Sequence, residues 1–157
     1  MSKNRSLLVT LRLTAILLVI ASLIPIGASA FSEEMPEARA SEYLSTYGAY
    51  VYAAGSGKVQ VWFDVQGTGD MDELGALSIQ IYECSTNSTD IDDWTWKKTF
   101  THDSTADMLA YNDYLHVSHV DYTGTAGKYY KAYVCVWAGK NGDGDTRYFW
   151  TSAKKAT

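Results

Sequence analysis

Residues 128–150 read KYYKAYVCVWAGKNGDGDTRYFW. Tyr130, Ala132, Val134, Val136 and Ala138 fall on one side of a period-two pattern, and Tyr129, Lys131, Tyr133, Cys135 and Trp137 on the other. That alternation predicts a strand buried on one face. The following Asn141-Gly142-Asp143-Gly144-Asp145 carries the Asn-Gly and Asp-Gly pairs that accept the positive φ of a tight hairpin. The same segment places oxygen-bearing side chains at every second position, as calcium loops do. Thr146 stands where an EF-hand-type loop needs glycine, and Ser152 where it needs a bidentate glutamate. The segment is therefore read first as a turn. It becomes a calcium site only with oxygens from neighbouring loops.

Outward from this hairpin, short β-type runs alternate with Gly, Asn and Asp. They predict strands over 45–53, 58–66, 76–84, 94–101, 116–122, 128–138 and 146–153. Val59, Val61, Phe63 and Val65 share the core side of the second run, with Gln60, Trp62, Asp64 and Gln66 opposite. Only 105–115 has the pattern of a helical turn. The expected fold is all-β, an antiparallel sandwich of about seven strands.

The sandwich domain is assigned to 43–157 and a polar, flexible leader to 31–42. Residues 1–30 read as a secretory signal-peptide helix. Lys3, Arg5 and Arg12 precede the apolar stretch from Leu13 to Ile24, and Ala28-Ser29-Ala30 supplies a peptidase site before Phe31. A secreted, extracellular product is expected, touching a membrane only transiently through the signal. Removing that segment takes away three basic residues and no acidic one. It leaves 10 Lys+Arg against 18 Asp+Glu, a net charge of −8. Nucleic acid is a poor partner for such a chain, because its binding depends on cationic side chains neutralising phosphates. All 21 aromatic residues (12 Tyr, 5 Trp, 4 Phe) lie beyond residue 30.

The stretch Gly127-Lys128-Tyr129-Tyr130, followed by alternating small apolar residues, resembles the sixth strand of the fibronectin type III and immunoglobulin-like plan. Tyr130 would take the tyrosine-corner position. The resemblance covers roughly 45–153, although Gly127 is not preceded by proline and no core tryptophan stands in the expected place. VQVWFDVQGTGDMDELGALSIQIYE, with TWKKTFTHDSTADM and the hairpin itself, is also similar to a family of small secreted bacterial domains of unknown function. That similarity implies no activity. In the immunoglobulin-like plan the third and sixth strands are antiparallel neighbours, and Cys84 and Cys135 both fall on their outward face. With export to an oxidising compartment, a disulfide between them is expected, two separate thiols being the alternative.

The same plan gathers the segments 67–75, 102–115 and 139–145 at one end. They contain Asp70, Asp72, Glu73, Asp103, Asp107, Asp113, Asp143 and Asp145. Calcium is the one cofactor this suggests, with Asn141, Asp143 and Asp145 as ligands assisted by Asp70 or Asp72. His116 and His119 are three apart, which puts them on opposite faces of a strand and not in one zinc site.

The aromatic excess points to binding. Tyr82, Tyr129, Tyr133 and Trp137 face outward, with Trp94, Trp96, Tyr148 and Trp150 available from flanking strands. Planar rings on a partly polar sheet stack on sugars and anchor protein interfaces. The expected function is a non-catalytic binding module for a neutral glycan or an extracellular protein, using Tyr82, Tyr133, Trp137 and Trp150. The alternatives are a structural or self-associating cell-surface domain and, behind it, an antimicrobial or toxin-like protein. No enzyme is expected. Gly55-Ser56-Gly57 is a turn and not a nucleophile elbow, and a glycosidase pair chosen among so many carboxylates has no basis without geometry.

Overall fold

A computed structural model describes residues 41–157. The signal peptide, its helix and the leader up to residue 40 lie outside the described residues. The described chain is an antiparallel, nearly all-β structure of seven strands. These are β1 (Leu44–Gly55), β2 (Lys58–Cys84), β3 (Thr95–Thr101), β4 (Leu109–Thr123), β5 (Tyr129–Lys140), β6 (Asp143–Trp150) and β7 (Lys154–Lys155).

The second and third expected strands are one. β2 runs through 67–75, where the sequence predicts a break between two strands. Two features reconcile a loop-like sequence with a continuous strand. Met71, Leu74 and Ala76 are buried apolar anchors inside the segment. The register against β4 also jumps from Gln66↔Leu115 to Met71↔Asp113, so five steps of β2 are set against two of β4. Such a bulge bends a strand without ending it. The 105–115 segment likewise gives no helical turn. Leu109, Ala110 and Tyr111 pair with Gly75, Leu74 and Glu73 as the start of β4. A single 3-10 turn, Ile91–Asp93, is the one helical element among the described residues.

The two halves of β2 have different neighbours. Its first half lies between β1 (Val51↔Val61) and β4 (Val61↔Val120). Its second half lies between β3 (Ile79↔Phe100) and β5 (Ile79↔Val134), and β6 continues from β5. The expected core faces are buried: Val59, Val61, Phe63 and Val65 on β2, and Tyr130, Ala132, Val134, Val136 and Ala138 on β5. They join Leu74, Ile79 and Ile81 in a single cluster. Each such aliphatic side chain contributes about 1.5–3 kcal/mol on burial. Tyr130 is fully buried, and its hydroxyl accepts the Thr125 backbone N–H at 2.7 Å and donates to Glu83 Oε2. Burial pushes the Glu83 carboxyl up. The bonds from Tyr130 and Lys97 outweigh it and hold the group below its ordinary value.

The disulfide is not formed: Cys84 and Cys135 are both free. The ladder explains why. Cys84 stands opposite Tyr129, and Cys135 opposite Ser78. The two thiols are thus six residues out of register, about 20 Å along the strands, far beyond the reach of a disulfide. Nor are they exposed, since neighbours cover both side chains.

Candidate functional site

The outward face of β5 continues onto β6 through the pairs Tyr133↔Trp150, Cys135↔Tyr148, Trp137↔Thr146 and Gly139↔Gly144. The four residues expected to bind ligand share this face, but the structure divides them into two places.

Tyr82, Tyr133 and Trp150 come together. The Trp150 ring is 5.0 Å from Tyr82, edge to face, and 4.9 Å from Tyr133. Tyr133 also stacks on the exposed Tyr148 at 6.0 Å. Into this group the chain inserts its own cation. Lys131 Nζ lies 4.3 Å from the Trp94 ring centroid and 4.7 Å from that of Trp150. Burial lowers the Lys131 pKa from its ordinary value, while the two ring faces attract its charge. Trp94, expected to add to an exposed face, is buried beneath this lysine, and its indole N–H donates to Ser88 O. Trp96 remains exposed, with its N–H on Thr99 Oγ1. The rings of this cluster are in contact with one another and with Lys131, while Trp150 and Tyr148 keep exposed surface.

Trp137 lies elsewhere, about 13 Å along β5 from Tyr133. Its indole lies across Gly139 and Gly144. A Cβ at either position would fall well inside van der Waals contact of the six-membered ring. An aromatic ring covering paired glycines in this way fills a gap in the sheet. The ring forms part of a groove of about 400 Å³. Asp72 and Glu73 of β2 line it, with Tyr111 and Asn112 of β4 and Lys140, Gly142 and Asp143 of the β5–β6 hairpin.

The hairpin turn is the one its sequence specifies, with Asn141 at φ 56° and Gly142 at φ 82°. Two bonds tie it to the bulged part of β2. The Asn141 backbone N–H donates to Asp72 Oδ2 at 2.6 Å, and Lys140 Nζ donates to Asp70 O at 2.8 Å.

The residues expected as calcium ligands make hydrogen bonds within the chain. Asn141 directs an N–H at Asp72, and Asp70 offers its carbonyl to a lysine. Asp143 Oδ1 accepts the Gly144 N–H at 2.8 Å. Asp145 Oδ2 accepts Ser41 Oγ–H at 2.5 Å and Tyr43 N–H at 3.1 Å, and these bonds lower its pKa. Among the described residues no three His, Cys, Asp or Glu side chains are placed to hold a metal ion. His116 faces Asp107 O at 2.9 Å and His119 stacks on Trp62 at 4.3 Å, on opposite sides of β4.

The sequence reading missed the roles of Tyr111, Asn112, Gly139 and Gly144. The glycines carried a signal: each is within one strand pair of Trp137, on its own face. Tyr111 and Asn112 carried none while 105–115 was read as a helical turn.

No protein-family model matches the chain, and no curated protein sequence matches it. Among solved structures, a crystal structure of β-glucosidase from Kluyveromyces marxianus in complex with glucose aligns with a TM-score of 0.34 at 15% identity. The alignment covers 71% of this chain and 15% of that one, and at this level of similarity it carries no argument.

Proposed function

We propose that this chain is a secreted, non-catalytic carbohydrate-binding module on an immunoglobulin-like sandwich, with the Trp137 groove as its ring-stacking site. The sandwich reading is supported by the strand neighbours: β1, the first half of β2 and β4 on one side, and β3, the second half of β2, β5 and β6 on the other. The tie from Tyr130 back to Thr125 is what a tyrosine corner would make.

One observation carries the functional reading. The Trp137 indole rests on two glycines beside a groove bordered by carboxylate, amide and phenol groups. A sugar ring presents an apolar C–H face suited to an indole and a rim of hydroxyls suited to Asp72, Glu73, Asn112 and Asp143. Tyr111, which is 61% exposed, supplies a second ring at the edge. Isothermal titration with neutral and amino-sugar oligosaccharides tests the reading. Binding that disappears in Trp137→Ala while Trp150→Ala retains it supports the groove. Binding by neither class of sugar refutes it.

A further inference from the structure

We infer that the saccharide held at Trp137 carries a protonated amine, an unacetylated 2-amino sugar and not a neutral or acidic one. This rests on the reading of the groove as a saccharide site and names the charge of its ligand. Three carboxylates, Asp72, Glu73 and Asp143, border the groove against one cation, Lys140, a net charge of −2. Lys140 Nζ donates to Asp70 O at 2.8 Å. Among the described residues no lysine or arginine lies over the Trp137 ring, whereas Lys131 fills the equivalent place between Trp94 and Trp150.

The chain thus places its own ammonium over the rings of one aromatic site and places none over the ring of the other, where carboxylates outnumber the single lysine. An ammonium group on a stacked sugar ring would meet the indole and Glu73 together, adding a charge-assisted hydrogen bond to the stacking. An acetylated amine loses the charge, and a uronic acid would be repelled by the rim.

The test titrates the intact chain at mildly acidic pH with three probes of equal length. These are a β-1,4-linked glucosamine oligomer, its fully N-acetylated counterpart and a cello-oligosaccharide. The inference expects the amino oligomer to bind at least about tenfold more tightly than the other two. Added salt should narrow that advantage, and Glu73→Gln, an isosteric change at an exposed position, should largely erase it. Equal affinity for all three, abolished by Trp137→Ala, would overturn the charge inference and leave the saccharide site standing. Binding by none of the three would overturn both. Because Trp137→Ala removes a ring that packs on the sheet, Glu73→Gln keeps the inference testable if that variant fails to fold.

Discussion

Lys131 and Trp137 share one face of β5, with Tyr133 and Cys135 between them, and their surroundings have opposite character. Around Lys131, Trp94 and Trp150 close on an internal cation, with Tyr82 and Tyr133 against Trp150. Around Trp137 there are two glycines below and three carboxylates at the rim. The first arrangement contributes its rings to stability. The second keeps a ring available at a modest stabilising return. The contrast teaches that alternation assigns a side chain to a face, while the neighbours across the ladder decide whether it stays free.

Substitutions at the two tryptophans should break the symmetry most sharply. Trp94→Ala removes a buried ring and should cost about 3–5 kcal/mol, seen as a large fall in the denaturation midpoint. Trp137→Ala, at a half-buried position, should cost about 1–2 kcal/mol while eliminating saccharide binding. Equal losses of stability would mean that Trp137 belongs to the packed structure after all.

Gly139→Ala sharpens the point without touching the indole. The three atoms nearest its Cβ would all belong to the Trp137 ring, so the ring must lift. Overpacking of this kind costs about 1–3 kcal/mol, and ligand affinity should fall in a protein that still unfolds cooperatively. Unchanged affinity would show that the ring's seat is irrelevant to binding.

Lys131→Met retains most of the side-chain stem and removes the charge. Two cation–π contacts are lost while the cost of partly burying an ammonium is relieved, so the net change should be about 1 kcal/mol or less. Tryptophan fluorescence should nevertheless change, because Trp94 and Trp150 lose their common neighbour.

The smallest effect concerns the hairpin's far side. Ser41 and Tyr43 hold the Asp145 carboxylate below its ordinary value of 3.8. A depressed folded pKa contributes stability that is complete above the ordinary value and disappears as pH falls through the lower folded one. Asp145→Asn should therefore lower the melting temperature slightly near neutrality, where the contribution is complete, and flatten the acid limb below about pH 4.

Much of this was legible in the sequence. Period-two alternation in 58–66 and 128–138 identified the buried faces, and Asn141-Gly142 identified the turn. Three things were not. The GTGDMDELG stretch has the composition of a loop, and the burial of Met71 and Leu74 in the core together with their pairing to β4 makes it strand. The pairing of cysteines depends on register, which neither the compartment nor the face determines; six residues of offset kept Cys84 and Cys135 apart. The ligand face was expected as one continuous set, Tyr82, Tyr133, Trp137 and Trp150. Its division depends on Lys131 occupying one half, which no spacing rule reveals.

The account's central claim is that Trp137, and not the Trp150 cluster, meets the ligand. The indole N–H resonances of the five tryptophans report this within one sample. On titration with the glucosamine oligomer, the Trp137 signal should shift progressively to saturation while those of Trp94 and Trp150 stay in place. Saturating shifts at Trp94 and Trp150 with Trp137 unmoved would contradict the account.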